Sequence, residues 1–240
     1  MNEPRGKTVG GKYVCAAKLG AGGYGEVWKA WDIPLRRWVA LKFLKNDDSF
    51  EAMRFQREAQ TVAQLVHPNI AAVYEVGASE GRPFIAMQLI EGGNLSAIPR
   101  TDPRTLVSLV RQAANAVHFA HGRGIVHCDL KPENILVDMH PDGPRACVVD
   151  FGLAKIKPTA RSGSKGYTEF FSAPEVIEGK HSILPESDMY SLGMTMIYAL
   201  SGDARYLVGK EVPDSTPKPM REFEAMAKLF LLPSWLWASA

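Results

Sequence analysis

The chain has 240 residues, of which 46% are hydrophobic and 22% are charged, a composition typical of a globular protein with one domain, which can have two lobes. The formal net charge of +2, with no cluster of lysine or arginine, excludes a nucleic-acid binder that relies on a basic surface. No apolar run is long enough for a membrane-spanning helix, and residues 1–19 lack the apolar core of a secretory signal. The three cysteines fit neither a disulfide framework nor a metal site, so we expect a reducing, cytoplasmic location.

The first third of the chain is rich in predicted strands. Five runs of β-branched, aromatic and apolar residues, bounded by glycine, proline or turn residues, predict strands: Val14–Leu19, Glu26–Trp31, Trp38–Leu44, Ala71–Val76 and Phe84–Leu89. The first three predict an antiparallel meander. Between the third and fourth strands, Asp48 can cap a helix that ends before Pro68. Phe55, Ala59, Val62 and Val66 share one apolar face of that helix.

The remainder of the chain is predicted to be mainly helical. Asp102 can cap a helix that opens at Pro103 and ends at Gly122 or Gly124. Residues 187–201 are apolar on almost every face and end at Gly202, which predicts a buried central helix.

These elements predict an α+β fold with two lobes in a single domain, residues 1–240. The N-lobe, about residues 1–87, holds the antiparallel sheet and one helix, and the C-lobe, residues 94–240, is mainly helical. Residues 88–93 are the predicted hinge.

A glycine-rich run at residues 20–25 precedes a strand-like segment. The backbone at Gly20, Gly22 and Gly25 can approach phosphate oxygens closely because these residues have no Cβ. Taken alone, the run also fits an ordinary glycine-rich hairpin, and that alternative stays open. A dinucleotide-binding fold does not fit, because its glycines open a helix whereas these lead into the strand Glu26–Trp31.

A single lysine, Lys42, lies within an otherwise apolar predicted strand. Taken alone it fits a solvated edge residue as well as a functional one. Glu58 borders the apolar face of the predicted helix, beside Val62 and Leu65, where a carboxylate without a partner is costly. We therefore expect Lys42 and Glu58 to form a buried ion pair.

Two short motifs carry the strongest chemical signal. Residues 127–134 contain a carboxylate, a lysine and an amide, Asp129, Lys131 and Asn134, and a second carboxylate, Asp150, follows a predicted pair of short strands. In phosphoryl transfer, one carboxylate orients the attacking hydroxyl while an amide and a second carboxylate hold magnesium on the phosphates. A polar loop that holds this set by chance is the weaker alternative. We assign His127 a structural, hydrogen-bonded role.

These motifs, in this order, resemble those of the eukaryotic-like serine/threonine protein kinases, the bacterial Hanks-type members especially, over roughly residues 13–202. The resemblance implies transfer of the γ-phosphate of ATP to serine or threonine hydroxyls of protein substrates, with no nucleic-acid partner. It implies that Asp129 is the catalytic base and that Lys131 steadies the γ-phosphate. It further implies that Lys42, paired with Glu58, contacts the α- and β-phosphates.

The resemblance also implies a nucleotide and metal site. Mg2+, with Mn2+ as an alternative, would be bound by Asn134 and Asp150. Asp188 would brace the catalytic loop. The other implied ATP-binding positions are Leu19, Gly20, Gly22, Gly25, Val27, Ala40, Met87 as gatekeeper, Gln88 and Ile90.

Two features depart from the family pattern. Cys128 stands where the family usually has an arginine that binds an activation-loop phosphate, so we expect activity without that phosphorylation. Residues 229–240 form an atypical apolar tail without charge. It is either a segment packed on the C-lobe or the end of a truncated or frame-shifted gene. The family usually has an arginine late in the domain that pairs with the glutamate at the position of Glu175. A truncated or frame-shifted end would leave Glu175 without that arginine, unless Arg205 or Arg221 replaces it.

Three functional classes therefore stay open. The first is an active serine/threonine kinase, and the second is a nucleotide-binding pseudokinase or interaction scaffold, including a truncated inactive kinase. A small-molecule phosphotransferase on a related fold is a weaker third. The complete set of phosphoryl-transfer residues favours the enzyme, because a scaffold needs none of them.

Overall fold

The computed structural model describes residues 6–22, 25–44, 56–57, 59–98, 102–151, 170–178 and 184–202. Within them, the N-terminal half holds six strands: β1 (Thr8–Val9), β2 (Tyr13–Gly22), β3 (Gly25–Asp32), β4 (Arg37–Leu44), β5 (Val73–Ser79) and β6 (Arg82–Gln88). They form one antiparallel sheet in the order β1-β2-β3-β4-β6-β5. The predicted meander of the first three long strands is therefore confirmed.

The two faces of this sheet carry different side chains. On β4, Leu41 and Phe43 face an apolar cluster that includes Tyr13 and Phe84. The alternate positions of the same strand face the other side, because successive side chains of a strand point in opposite directions. Ala40 on that second face packs in a separate cluster with Met87. Lys42, two residues later, shares the second face.

The described part of the C-terminal half consists mainly of helices and one hairpin. Its elements are β7 (Ile135–His140), β8 (Gly143–Val148), α1 (Pro103–His121), α2 (Pro174–Glu178) and α3 (Pro185–Ser201). A buried cluster joins α1, the β7–β8 hairpin and α3, and includes Leu109, Ala113, Ile135, Val148 and Leu192. No helix within the described residues is long and apolar enough to cross a membrane.

The ends of the two long helices agree with the sequence. The Asp102 carboxylate accepts hydrogen bonds from the backbone N–H groups of Arg104 and Thr105, at 3.1 and 3.2 Å, which is an N-cap. Helix α1 ends at Gly122 rather than Gly124. Helix α3 ends at Gly202, whose φ of 75° gives the left-handed cap that glycine adopts without strain.

Two predicted boundaries were wrong. β5 begins at Val73 rather than Ala71, because the Ala71 N–H donates to Val148 O at 3.0 Å and so joins the helical half instead. Residues 59–62 are helical and bury Ala59 and Val62, but Val66 lies past the last helical residue and is 84% exposed. The helix therefore ends before the fourth residue of the predicted apolar face.

The two halves are joined next to the β7–β8 hairpin. The Asn69 side-chain amide donates to Ala146 O at 2.7 Å and to Gln112 Oε1 at 3.1 Å. In the segment predicted as the hinge, a Cβ on Gly92 would lie 1.6 Å from Val137 O, so only glycine fits there. These contacts fix the sheet above the β7–β8 hairpin, and the candidate site lies between them.

Candidate active site

The inner face of the sheet forms the roof of the site. Val27 lies opposite Lys42 across β3 and β4, and Ala40 lies opposite Met87 across β4 and β6. Directly opposed residues of antiparallel strands point to the same face, so these four side chains share it. Val27, Ala40 and Met87 pack in one apolar cluster. The roof is therefore an apolar surface that carries the Lys42 ammonium group beside Val27, Ala40 and Met87.

The Lys42 ammonium forms an ion pair across the site. Its Nζ lies 2.6 Å from Oδ2 of Asp150, and the two side chains are 12% and 30% exposed. The sequence predicted Glu58 as the partner of Lys42, but Glu58 lies outside the described residues. The partner that the structure does describe is Asp150, which the sequence had assigned only to the metal.

The backbone conformation of Asp150 and the packing of the next residue, Phe151, orient the Asp150 side chain. Its φ of 65° lies in the left-handed region, which is strained for a residue other than glycine. The next residue, Phe151, is 1% exposed and packs its ring 4.7 Å from the ring of His127. Because Phe151 points into the core, the side chain of Asp150 is turned towards Lys42.

The loop before β7 brings the other polar groups together. Lys131 Nζ lies 3.2 Å from Asp129 Oδ2, and the Asn134 amide donates to the backbone oxygen of Asp129 at 2.7 Å and to Oδ2 at 3.3 Å. The side chains of Asp129 and Lys131 are 14% and 18% exposed. A carboxylate thus stands at the surface of the site with a cation and an amide fixed around it.

His127 has the structural position that the sequence predicted for it. It is fully buried, its Nδ1 accepts from the Asp129 N–H at 3.2 Å, and its Nε2 lies 2.9 Å from Val149 O. An acceptor at Nδ1 and a carbonyl partner at Nε2 assign the neutral ring with the proton on Nε2. The ring therefore fixes the backbone immediately before both Asp129 and Asp150.

Asp188 fixes the same loop by accepting hydrogen bonds from its backbone. This carboxylate, which is 1% exposed, accepts from the N–H of His127 at 2.7 Å and from the N–H of Cys128 at 2.8 Å. The φ of 70° at Cys128 is left-handed, so these hydrogen bonds hold a strained backbone turn next to Asp129.

The glycine-rich run crosses from β2 to β3 as a hairpin. Gly20 pairs with Val27 and Gly22 with Gly25, and Leu19, which is 52% exposed, lies at the irregular register between Lys18 and Gly20. Gly25 has a φ of 147°, and a Cβ there would lie 1.8 Å from a backbone oxygen. The run is therefore hairpin and candidate phosphate loop at once, so the two alternatives were not exclusive.

The residues predicted to bind adenine lie at the C-terminal end of β6 and just after it. Met87 and Ile90 are each 8% exposed, and the Gln88 N–H donates to Ala72 O at 2.8 Å. A narrow cavity behind Met87 is lined by Ala59, Ile85, Asp150 and Phe151 among others. Met87, the predicted gatekeeper, thus lines this cavity and also belongs to the apolar cluster of the roof.

The residues predicted to hold magnesium suit that ion. Mg2+ prefers oxygen ligands and uses one or two carboxylates, with phosphate oxygens and water for the rest. Asp150 supplies a carboxylate. Asn134 is 8% exposed, and because its amide nitrogen donates to Asp129, its oxygen is the atom that can face a metal. Within the described residues, no cluster of three histidine, cysteine or acidic side chains offers a site for a metal held by protein alone.

Comparison with known proteins agrees with this geometry. The model of the family "protein kinase domain" matches residues 13–235.

The chain belongs to the protein kinase domain family.

Curated relatives of this kinase domain include bacterial serine/threonine-protein kinases. It is 38% identical over 217 residues to the serine/threonine-protein kinase PknA of Mycobacterium tuberculosis, covering 84% of this chain and 49% of that protein. It is 35% identical over 240 residues to the serine/threonine-protein kinase pkn3 of Myxococcus xanthus, covering 90% and 44%. The chain therefore spans about half the length of the curated relatives it matches.

A solved kinase domain has the same fold. A doubly substituted form of the Mycobacterium tuberculosis PknI kinase domain superposes with a TM-score of 0.67 at 26% identity, covering 94% of this chain and 98% of that one. The two-lobed α+β fold expected from the sequence is thereby confirmed.

The family match extends further along the chain than the span over which the motifs resemble the family. The family match runs to residue 235 and not to about 202, so it includes part of the apolar tail. The tail itself, Arg205 and Arg221 lie outside the described residues. Glu175, expected to need a late arginine, has another partner: its Oε1 accepts a hydrogen bond from Ser187 Oγ at 2.9 Å.

Sequence reasoning missed one polar group next to the catalytic loop. His121 Nε2 lies 2.8 Å from Asp188 Oδ2, in addition to the two backbone donors. The available signal was its position as the last residue of a predicted helix, where a histidine can interact favourably with the helix dipole.

Proposed function

We propose that this kinase domain transfers the γ-phosphate of Mg-ATP to serine or threonine hydroxyls of protein substrates. The observation that carries the proposal is the arrangement around Asp129, which has Lys131 and Asn134 in contact with its side chain. A substrate hydroxyl that meets this carboxylate is oriented for attack, and its proton has an acceptor. Lys131, in contact with Asp129, would neutralise charge on the transferred phosphoryl group.

The nucleotide would lie under the apolar roof, with the adenine between Val27 and Ala40 and its edge at the backbone of Gln88 and Ile90. Lys42 would contact the α- and β-phosphates. Bound magnesium, held by Asn134 and Asp150, would neutralise charge on the phosphates. Binding therefore requires the Lys42–Asp150 ion pair to open or widen, so that each group meets its own part of Mg-ATP.

Serine and threonine are the proposed acceptors for two reasons. Lys131 occupies the position in the catalytic loop at which a serine/threonine kinase carries a lysine, and the matched relatives are named serine/threonine-protein kinases. A cytoplasmic location remains a prediction that rests on three cysteines, all of which are free thiols.

A pseudokinase that binds nucleotide without transferring phosphate is the second candidate. The completeness of the polar set, Lys42, Asp129, Lys131, Asn134 and Asp150, weighs against it.

The test is incubation of the purified chain with γ-labelled ATP, Mg2+ and a generic basic protein, followed by phosphoamino-acid analysis. We expect label on serine or threonine, and no label above background with Asp129→Asn. Protection against thermal unfolding by Mg-ATP without transfer of label would support the pseudokinase instead.

A further inference from the structure

We propose that the six-stranded sheet carries a second ligand site, on the face opposite the roof of the active site, which binds a small planar aromatic carboxylate. This outer cavity, of about 410 Å³, is lined by Val9, Cys15, Trp28 and Phe43, and charged side chains lie at its rim. None of its lining residues belongs to the proposed nucleotide or catalytic set, so the proposal does not depend on phosphotransfer.

The outer cavity exists because the two edges of the sheet curl towards each other. β1 and β5 are the edge strands and are not paired with each other. Side chains nevertheless join the two edges, since the Gly10 N–H donates to Ser79 Oγ at 3.1 Å and the Tyr13 hydroxyl donates to Glu75 Oε2 at 2.8 Å. The sheet therefore approaches a closed barrel, and the mouth of a barrel is a frequent position for a small-molecule site.

Apolar side chains fill only part of the space inside this curl. Tyr13, Leu41 and Phe84 are at most 2% exposed and pack in one cluster. Cys15 and Trp28 lie at the border of that cluster and are only partly buried. The outer cavity begins at this border, so a ligand that enters it meets the unfinished edge of an apolar core.

Two aromatic side chains line the outer cavity. Trp28 on β3 and Phe43 on β4 alternate with the roof residues Val27 and Lys42, so their side chains point to the opposite face of the sheet. Aromatic rings attract another ring in offset or edge-to-face arrangements, in addition to the gain from burying apolar area. The walls therefore favour a ligand with a planar aromatic body.

The charges on one side of the rim favour an anionic group on the ligand. Arg82 Nη1 lies 2.7 Å from Glu26 Oε1, and Arg82 Nε donates to Leu44 O at 3.1 Å. Lys18 Nζ lies 2.8 Å from Glu26 Oε2. Two cations therefore share one carboxylate, which leaves this group of three side chains with a net positive charge.

On the other side of the rim, Lys7 is the cation that a ligand can bind directly. Its Nζ lies 3.0 Å from Glu80 Oε2, and both side chains are 73% exposed. An ion pair exposed to this degree contributes little to stability, so a carboxylate that enters the outer cavity can replace Glu80 at low cost. The ligand would thus place its ring between the aromatic walls and its carboxylate at Lys7.

The experiment titrates the full chain with naphthalene-2-carboxylate, a fluorescent planar aromatic carboxylate, with and without Mg-ADP. Naphthalene-2-carboxamide, which has no charge, and octanoate, which has no ring, are the comparison compounds. The variants are Lys7→Met, Cys15→Phe and, as the control, Lys12→Met. Lys12 pairs with Glu75 across the same two sheet edges but does not line the outer cavity.

We expect naphthalene-2-carboxylate to bind with a Kd of about 0.1–1 mM, the range for a ligand of this size, and octanoate to bind at least about threefold more weakly. Mg-ADP should change the Kd by less than about threefold, because the two ligands occupy opposite faces of the sheet.

Lys7→Met should weaken binding of the carboxylate by at least about threefold and leave binding of the carboxamide unchanged, because only the carboxylate forms a charge-assisted contact. Cys15→Phe should abolish binding, because its ring would occupy the outer cavity. Lys12→Met should match the parent chain.

A second measurement uses the unsubstituted chain, and it decides the position of the site even if Cys15→Phe does not fold. Cys15 lines the outer cavity, whereas Cys128, also a free thiol, lies in the catalytic loop. Naphthalene-2-carboxylate should slow the alkylation of Cys15 by N-ethylmaleimide, followed by peptide mass spectrometry, and leave the rate at Cys128 unchanged.

Three results would overturn the site: no saturable binding below about 5 mM, competition with Mg-ADP, or equal protection of the two thiols. Equal affinity for the carboxylate and the carboxamide, or for naphthalene-2-carboxylate and octanoate, would refute the proposed class of ligand. Each of these results is separate from the assay of phosphate transfer, so the failure of one proposal does not decide the other.

Discussion

The ion pair between Lys42 and Asp150 should contribute measurably to the stability of the nucleotide-free domain. Nζ and Oδ2 are 2.6 Å apart, which at an effective dielectric constant of about 20 gives an attraction of about 6 kcal/mol before desolvation. Desolvation of two largely buried groups offsets most of this, so we expect a net coupling of about 1–3 kcal/mol. The perturbations are Lys42→Met, Asp150→Asn and the double variant, and the assay is urea unfolding without nucleotide.

A second ion pair, between β3 and the predicted hinge, is a control matched in distance. Lys29 Nζ and Glu91 Oε1 are also 2.6 Å apart, but the side chains are 29% and 69% exposed. Solvent-exposed pairs contribute about 0–1 kcal/mol, so the cycle of Lys29→Met and Glu91→Gln should give the smaller coupling. A Lys42–Asp150 coupling no larger than that of the control pair would refute the argument from burial.

Two further predictions concern the sheet. Gly25→Ala places a Cβ 1.8 Å from a backbone oxygen at a φ of 147°, so it should lower Tm by about 4 °C or more. Gly20→Ala is the control, because nothing lies within 4 Å of its Cβ, and it should leave Tm nearly unchanged. Equal shifts of Tm in the two variants would contradict the steric account. Hydrogen bonds from Lys18 and then Arg82 lower the pKa of Glu26 from 4.5 to about 2, so the carboxylate stabilises the fold above pH 4.5 and this contribution is lost as the pH falls towards 2. Glu26→Gln should therefore be less stable than the parent at pH 7, and the difference in free energy of unfolding should shrink below pH 4.5. A difference that stays constant as the pH falls would contradict this prediction.

Much of the fold followed from the sequence because local signals agreed with packing. The run of β-branched, aromatic and apolar residues at Trp38–Leu44 predicted a strand, and the structure places Leu41 in one cluster and Ala40 in another. Asp102 and Gly202 marked helix ends because caps are local chemistry. The boundaries of the lobes stay predictions.

The features that could not be predicted from the sequence are those that depend on tertiary contacts. Ala71 lies in a run that predicts a strand, but its N–H donates to Val148 O of β8 in the C-terminal half. A contact between such distant residues leaves no local pattern in the sequence. The partner of Lys42 depended on the backbone at Asp150, whose left-handed φ turns the carboxylate towards the ammonium. The contact of His121 with Asp188 joins residues 67 apart in the chain, so periodicity within α1 carried no sign of it.

The central claim, that Asp129 orients the attacking hydroxyl in a working kinase, is tested most directly by Asp129→Asn, with kcat and the Kd for Mg-ATP measured on the same preparations. The account predicts a fall in kcat on the order of 10²–10⁴ with the Kd within about threefold of the parent. A kcat within about threefold of the parent would contradict it.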